Sequence, residues 1–454
     1  MPVPASSPLH LEPNTARLRV GVRAAVCTAL PVAIGSATGH TVTGLIASTG
    51  SLAALYSADD TPRREAFTVG SAAAVLVLSL ACGTLAAHHP WPAVAVTTVW
   101  TALVSYACTA LAARPPGMMM FVLVCALGTV LPGSILLLAP ATAATGAAAT
   151  LLSVLDQAWR TRREQPEPVR KNRATRARTK ARLAVALNPA GSPFALMALR
   201  SAGAVATAGT VSLLMGLERP YWAMATAAAV LSRGNQTSTA ANRALQRLLG
   251  TLAGCLLAAL LLPAHPRAWA AALALAALTF ATELFVSRNY ALAMVFVTPM
   301  ALLLVDAAGP AQPVGALLIS RAVETFLGCA AALAASYAVT RQWARRHQKH
   351  ALVLVLHTSA DVLAAGETAG RQRRLGRLAA AVHQLELVSE RTRGERAGVS
   401  AATAPLQEAT RQAVDRATRL LKNSGPTEPD PHTARALRAT AHQLTTQPLV
   451  RGAA

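Results

Sequence analysis

Apolar runs separated by short polar or Pro/Gly breaks dominate the chain as far as residue 340. Most of these runs approach the roughly 20 residues that an α-helix needs to cross about 30 Å of hydrocarbon. They predict an all-α, polytopic membrane protein with about twelve transmembrane helices, six in each half of the chain. The runs 42–57, 118–132 and 221–232 are short, which indicates partial or re-entrant spans. The predicted helices lie near residues 19–38, 42–57, 67–87, 91–113, 118–132, 134–155, 196–216, 221–232, 244–262, 268–286, 290–306 and 315–340.

Basic residues occur in alternate loops of this pattern. If the N-terminus is cytoplasmic, the loops on that side contain Arg17, Arg19, Arg23, Arg63, Arg64, Arg114, Arg233, Arg243, Arg288, Arg341, Arg345 and Arg346. The opposite loops hold little more than His40, His88 to Pro90, Glu218, Arg219, Arg267 and Asp306. Positive residues favour the cytoplasmic side of a membrane. The distribution therefore predicts a multi-pass plasma-membrane protein with both termini in the cytoplasm.

Composition agrees with a membrane protein and argues against a nucleic-acid partner. The 454 residues are 53% hydrophobic and only 14% charged, with a mean hydropathy of +0.40. The net charge of +22 is concentrated, since the block Arg160 to Arg182 has ten Lys/Arg and two Glu. Beside a membrane such a block favours contact with anionic lipid headgroups, and no nucleic-acid recognition motif accompanies it. We expect no cleaved signal peptide, because no short apolar core with a small-residue cleavage site lies near the N-terminus.

The composition divides the chain into five regions. After residue 340 it changes to mixed charge, and Leu375, Leu378, Val382, Leu385 and Val388 recur at helical spacing. This change predicts a cytoplasmic helical domain with a flexible C-terminus. The regions are a tail (1–16), a first transmembrane half (17–157), a basic cytoplasmic linker (158–194), a second transmembrane half (195–340) and the helical domain (341–454).

A short motif occurs twice in the second half. Arg219-Pro-Tyr221 is followed by Arg247-x-x-x-Thr251-x-x-Gly254, and Arg288-Asn-Tyr290 is followed by Arg321-x-x-x-Thr325-x-x-Gly328. Because three spans make one unit, the second copy enters the membrane from the opposite face, as in an inverted-topology repeat. The two halves of the chain also resemble each other, although the first keeps only "REAFTVG" (64–70) of the pattern.

Four segments in order resemble the fusaric-acid-resistance-like family of aromatic acid exporters. They are "RPYWAMATAAAVL", "RALQRLLGTLAG", "SRNYALAMVFVTPMALLL" and "SRAVETFLGCAAAL". The resemblance covers about 195–340 well and 17–155 weakly. It implies an integral membrane protein with cytoplasmic helical regions that exports small organic, often aromatic, acids or toxic amphipaths.

Charged residues inside spans are the first candidates for a substrate site. An ionisable group near a helix centre costs about 2.5–3.5 kcal/mol on insertion scales, so it needs a partner or a water-lined path. Arg321 and Glu324, three residues apart, either neutralise each other or act as an anion contact and a proton-sensitive group. Arg247 either binds substrate or is structural. Arg243 is interpreted as an interfacial anchor, and Glu283 and Asp306 as solvated residues near span ends.

Three further residues complete the predicted substrate site. Tyr221 and Trp222 lie at a predicted outer boundary, where they either form part of an aromatic belt or stack on an aromatic substrate. Thr298, before Pro299, either breaks its helix and exposes backbone carbonyls to a cavity or lies at a simple packing kink. Gly250 and Gly254 favour close helix packing.

The sequence lacks the motifs of the common enzyme classes. It contains no Walker A, GxSxG or HExxH sequence, and its six cysteines are interpreted as packing residues rather than metal ligands or disulfides. We therefore expect no enzymatic activity, catalytic residue, metal or cofactor. The sequence favours a proton-coupled secondary exporter of small organic anions or aromatic compounds. A passive anion channel and a non-transporting scaffold stay open, as does a homo-oligomer.

Overall fold

The computed structural model describes fifteen stretches of the chain, which include most of both transmembrane halves. They are residues 15–57, 61–113, 116–131, 135–164, 193–232, 237–264, 268–286, 288–308, 313–364, 371–393, 408, 412–413, 415–417, 419 and 430–446. Most of the predicted N-terminal tail and of the basic linker lies outside the described residues, as do Arg114, Arg233 and Arg267.

The first half contains six helical segments that match the six predicted runs. They are α1 (Thr15–Ala37), α2 (Thr41–Ala47) continued by a 3₁₀ helix (Ser48–Tyr56), α3 (Pro62–Thr84), α4 (Pro90–Ala110), α5 (Met119–Gly128) and α6 (Ile135–Glu164). Pro62 and Pro90 begin α3 and α4, where the missing proline N–H leaves no helical hydrogen bond unmade.

The second half repeats this order. Its helices are α7 (Pro193–Leu214), α8 (Pro220–Leu231), α9 (Thr237–Leu261), α10 (Ala268–Phe285), α11 (Tyr290–Ala308) and α12 (Val314–Ala364). Among the described residues, seven helices are long and apolar enough to cross a membrane, and five apolar helices are shorter. Large apolar side chains such as Leu136, Leu260 and Trp269 lie exposed on the outside of the bundle, where lipid would cover them. The chain is an all-α, polytopic membrane protein, as the sequence predicts.

The two halves pack in corresponding ways. Helix α1 packs against α10, and α7, the counterpart of α1, packs against α4, the counterpart of α10. Both α1 and α7 also end in the same Schellman motif. Gly39 and Gly216 have φ angles of +76° and +68°, and the N–H groups of His40 and Leu217 donate to the carbonyls of Gly35 and Ser212. The 6+6 repeat is therefore present in the contacts as well as in the order of the helices.

The second half also contains the predicted inverted repeat. The thiol of Cys255 in α9 lies 3.9 Å from the Leu318 carbonyl oxygen in α12, and the thiol of Cys329 in α12 lies 3.6 Å from the Ala244 carbonyl oxygen in α9. Cys255 and Cys329 directly follow Gly254 and Gly328, the last glycines of the two motif copies. Their contacts, Leu318 and Ala244, each lie three residues before the motif arginine of the other copy. These reciprocal contacts make α9 and α12 antiparallel. Both copies of the motif therefore continue from the glycine to a cysteine, which the motif defined from the sequence did not include.

Helix α12 continues without a break from the transmembrane region into the C-terminal region. The division predicted at residue 340 thus falls inside one α-helix. Beyond it, α12 packs against α13 (Arg371–Arg393) and α14 (Pro431–Thr446). Leu378, Val382 and Leu385 of the predicted apolar stripe are buried in this core, while the side chain of Val388 lies outside the described residues.

Candidate functional site

A cavity of about 460 Å³ lies between the two halves of the bundle. The first half contributes α1, α2, the 3₁₀ helix and α5, mostly through apolar side chains such as Leu45, Met120 and Leu127. The second half contributes residues of α8 to α12. The cavity reaches Arg219 before the start of α8 and Ser232 after its end, so it extends along the whole of this short helix.

The charged residues of the lining come mainly from the second half. Four arginines and two glutamates line the cavity, namely Arg219, Arg243, Arg247, Arg321, Glu218 and Glu283. An excess of cations in a low-dielectric cavity attracts anions more strongly than it would in water. The lining therefore favours an anionic ligand.

Arg321 combines burial with unused hydrogen-bond donors. Its guanidinium carbon lies 3.9 Å from the centre of the Trp222 ring, and the residue is only 2% exposed. Its Nε and Nη1 have no hydrogen-bond partner among the described residues. Buried donors are nearly always paired, so Arg321 is suited to an acceptor that enters the cavity.

Arg247 is held by the protein itself. Its Nε donates to the Thr226 hydroxyl at 3.3 Å, and its Nη1 lies 2.9 Å from the Tyr290 hydroxyl and 3.3 Å from the Met294 sulfur. The charge of Arg247 faces the same cavity as that of Arg321. It adds to the positive potential there, while three neighbours hold its guanidinium in place.

The structure corrects the interpretation of Arg243 as an interfacial anchor. Arg243 is buried, and its guanidinium carbon lies 4.0 Å from the centre of the Tyr290 ring. The cation–π contact replaces the lipid headgroups that a snorkelling side chain would reach. Arg243 therefore belongs to the cavity lining.

Each copy of the repeat places its arginine against an aromatic residue of the other copy. Arg247 of the first copy bonds to Tyr290 of the second, and Arg321 of the second copy lies over Trp222, next to Tyr221 of the first. The inverted repeat thus brings residues that are distant in sequence to one site.

Tyr221 and Trp222 lie inside the bundle, which is why an aromatic belt at the lipid interface is wrong for them. They are 5% and 6% exposed and line the cavity, and their ring centres are 5.0 Å apart. Every residue of α8 from Tyr221 to Leu231 is buried, because neighbouring helices surround this short segment. The rings can therefore contact a ligand rather than lipid.

Glu324 does not form an ion pair with Arg321, which was one of the two interpretations of their spacing. In the described part of the chain its Oε1 accepts a 3.1 Å hydrogen bond from the Ser320 hydroxyl, and no carboxylate lies within 4 Å of the Arg321 guanidinium. The guanidinium of Arg321 stacks on the Trp222 ring instead. Glu324 is 0% exposed and is not part of the cavity lining.

Thr298 also lies outside the cavity lining. Its hydroxyl donates to the Met294 carbonyl oxygen at 2.9 Å, and its side chain packs against Gly254 of α9. Helix α11 is continuous through Pro299, so of the two interpretations the helix break is wrong. Pro299 has no N–H for the Val295 carbonyl, and that carbonyl lies against Gly254. Close packing accommodates the proline without breaking the helix.

Several lining residues were missed by sequence reasoning. Glu283 is buried in the cavity wall and is not a solvated residue at a span end. An acidic residue inside an apolar run was the available signal. Thr28 and Ser51 border the cavity from the first half. Small hydroxyl residues are frequent in such helices, so their composition alone gave no signal.

Comparison with known proteins identifies part of the second half. Residues 206–335 match the family described as fusaric acid resistance protein-like. This match confirms the resemblance over that segment, which contains α8 to α11 and parts of α7 and α12. The chain is also 28% identical over 155 residues to the uncharacterised membrane protein YvaC of Bacillus subtilis (strain 168). The aligned stretch covers 34% of this chain and 24% of that protein. No solved structure matches the chain.

Proposed function

We propose that the chain is a secondary transporter that exports small organic or aromatic anions across the plasma membrane. The observation that carries this proposal is Arg321, a buried cation with two unused donor groups, stacked on Trp222 in a cavity between the two halves. The fusaric acid resistance protein-like segment supports it.

The chemistry of the cavity supports an amphipathic anion as the substrate. A guanidinium offers N–H donors in a planar fork that fits a carboxylate or a sulfonate. Trp222 and Tyr221 offer ring faces that pack well against an aromatic group. The arginines would hold the anionic group, and the aromatic and aliphatic walls would hold the rest of the molecule.

The inverted repeat supports an alternating-access mechanism. Transporters of this kind bind substrate near the membrane midplane between repeats and expose it to one side at a time. The contacts of Arg247 with Tyr290 and of Arg321 with Trp222 join the two copies at the cavity. Movement of one copy against the other would therefore change the binding site directly.

We also propose that Glu324 couples transport to protons. A buried carboxylate in a membrane span is costly to keep ionised without a partner. Glu324 lies one turn after Arg321 on α12, so gain or loss of its proton would alter the charge near the anion site. Coupling would then act through a residue behind the cavity wall.

A passive anion channel is the second candidate, and the extent of the cavity favours it. The lining reaches from Arg219 before α8 to Ser232 after it, as a path along the bundle would. A channel and a transporter differ in their response to a proton gradient. A channel needs no such gradient.

Flux of benzenesulfonate into proteoliposomes tests the proposal. This probe stays ionised at all relevant pH values, so it does not cross the lipid as a neutral acid. The purified full-length chain should carry it, and an imposed proton gradient should drive accumulation that an ionophore abolishes. Flux that ignores the gradient would support the channel, whereas flux equal to that of protein-free liposomes would refute both.

A further inference from the structure

The first half contributes a cluster of hydroxyl groups to the cavity. Thr28 of α1 and Ser51 of the 3₁₀ helix are 8% and 2% exposed, and their hydroxyl oxygens are 3.0 Å apart. Ser48 and Thr49 of the same 3₁₀ helix also border the cavity. We call these four residues the hydroxyl shelf.

The protons of the shelf are committed to the protein. The hydroxyls of Ser48, Thr49 and Ser51 donate to the carbonyl oxygens of Leu45, Ile46 and Ser48, at 2.6 to 2.7 Å. A hydroxyl has one proton and two lone pairs. Because Ser51 uses its proton on Ser48, Thr28 must donate to Ser51. The shelf therefore keeps free lone pairs and offers a ligand acceptors only.

The arginines on the other side of the lining have the opposite character. A guanidinium contains donors and no acceptor, and Nε and Nη1 of Arg321 have no hydrogen-bond partner among the described residues. One cavity thus presents guanidinium donors from the second half and the hydroxyl acceptors of the shelf from the first, while the second half adds the carboxylates of Glu218 and Glu283. A ligand that satisfies both has an anionic group and, elsewhere, a hydrogen-bond donor.

The local fold holds the shelf in place. The 3₁₀ helix is nine residues long, whereas most such helices have three or four residues. Side chains three apart are eclipsed in this helix type, so Ser48 and Ser51 share one face. On another side Gly50 contacts the backbone of α6 so closely that a Cβ would meet Thr142 and Thr145, and the Thr145 hydroxyl donates to the Ala47 carbonyl. The counterpart in the second half, α8, is an α-helix of mainly apolar residues.

We infer that Thr28 and Ser51 determine substrate specificity by accepting a hydrogen bond from a donor group that the transported anion has in addition to its anionic group. This inference rests on the proposed transport function and adds a residue-level selectivity to it. Anions that have a hydroxyl or amino group in reach of the shelf are preferred over isosteric anions with a methyl group there.

Two benzenesulfonates of the same shape test this inference. The probes are 4-aminobenzenesulfonate and 4-methylbenzenesulfonate, and each is measured for initial flux in proteoliposomes with the wild-type chain and with Thr28→Val plus Ser51→Ala. The wild-type chain should carry the amino compound faster by about fivefold to tenfold, since a site built for a hydrogen bond rejects an analogue that lacks it. In the double variant the ratio should fall to about one.

Controls separate selectivity from folding. Thr28→Ser keeps the hydroxyl and should keep the ratio, and so should Thr101→Val, which changes a buried threonine that does not line the cavity. If the double variant does not fold, Ser51→Ala alone decides the matter. A wild-type ratio near one, or an unchanged ratio in the shelf variants, overturns the inference while transport stands. Flux of neither probe in the wild-type chain refutes the transport proposal itself.

Discussion

The Tyr290 hydroxyl lies 2.9 Å from Nη1 of Arg247, so the arginine of one repeat copy is bound by the aromatic residue of the other. Arg321 occupies the equivalent position in the second copy and lies over Trp222, but two of its nitrogens have no hydrogen-bond partner among the described residues. The two arginines therefore differ in spite of their equivalent positions. The guanidinium of Arg247 keeps its charge but is held by hydrogen-bond partners that the protein supplies, whereas Arg321 is available to a ligand.

Loss of the Arg321 charge should impair transport more than loss of an arginine outside the cavity. We expect Arg321→Gln to reduce benzenesulfonate flux by at least about tenfold, because one charge-assisted hydrogen bond contributes on the order of 1.5–3 kcal/mol. Arg321→Lys should keep part of the flux, since it retains the charge but not the planar fork. Initial rates at matched protein density measure both effects.

Arg288→Gln is the matched control for these variants. Arg288 belongs to the second copy of the motif but does not line the cavity, so its neutralisation should leave the flux within about twofold of wild type. Equal losses in Arg321→Gln and Arg288→Gln would mean that general charge, and not the site, governs transport.

Tyr290→Phe should destabilise the protein without removing the ring under Arg243. The change deletes the hydroxyl that Arg247 binds and leaves a buried charged group with one hydrogen bond fewer. The free energy of unfolding should fall by about 1.5–3 kcal/mol, and the unfolding temperature in detergent should fall with it. Tyr290→Leu also removes the cation–π contact and should cost more. The contact assignment is wrong if Tyr290→Phe unfolds at the wild-type temperature.

The helices were predictable from sequence because apolar length is a local property. All twelve predicted runs coincide with helices, and their starts differ by at most seven residues, as for α9, predicted from 244 and observed from Thr237. The short run 221–232 was recognised as a partial span and is the buried helix α8. The 3₁₀ geometry after Ala47 was not predicted, and it accompanies a close contact of Gly50 with α6 that the local sequence does not reveal.

The site was predictable only in part because side-chain contacts depend on packing between distant segments. Arg247, Arg321, Tyr221 and Trp222 line one cavity, but Glu324 and Thr298 do not. Spacing on one helix suggested a pair of Arg321 with Glu324. The ring of Trp222, which lies on α8, holds the guanidinium instead. Only the fold could reveal that contact.

The two ends of α3 should lie on opposite sides of the membrane. His88 and Arg63 are exposed near its C-terminal and N-terminal ends, and the positive-inside pattern puts Arg63 in the cytoplasm. In intact cells a membrane-impermeant maleimide should label His88→Cys but not Arg63→Cys, which should react only after permeabilisation. The parent chain, whose cysteines are buried or half-buried, should give little background. Labelling of Arg63→Cys in intact cells contradicts the topology.

The C-terminal core should depend on apolar packing rather than on its surface ion pair. Leu385 is fully buried there, whereas the Asp361–Arg438 pair, 3.0 Å apart, is about half exposed. Leu385→Ala should lower the free energy of unfolding by about 2–5 kcal/mol, and Asp361→Asn should lower it by less than about 1 kcal/mol. Limited proteolysis of the full chain, with cleavage sites identified by mass spectrometry, should show faster cutting within 371–446 only in Leu385→Ala. Similar cutting in both variants would contradict this ranking.

The close contact of α9 with α11 gives a further prediction, which concerns Gly254. A Cβ added at this position would lie 2.6 Å from the Thr298 Cβ and 2.9 Å from the Val295 carbonyl oxygen, and backbone cannot move aside as a flexible side chain would. Gly254→Ala should therefore force the two helices apart and cost about 1–3 kcal/mol. Gly203→Ala in α7 is the matched control, because nothing lies within 4 Å of the added Cβ and alanine favours helix by up to about 1 kcal/mol. Unfolding temperatures in detergent should fall for Gly254→Ala and stay level or rise for Gly203→Ala. Because α9 contains Arg247 and α11 contains Tyr290, Gly254→Ala should also lower anion flux. If both the unfolding temperature and the flux of Gly254→Ala equal those of the wild-type chain, the two helices do not need this close approach.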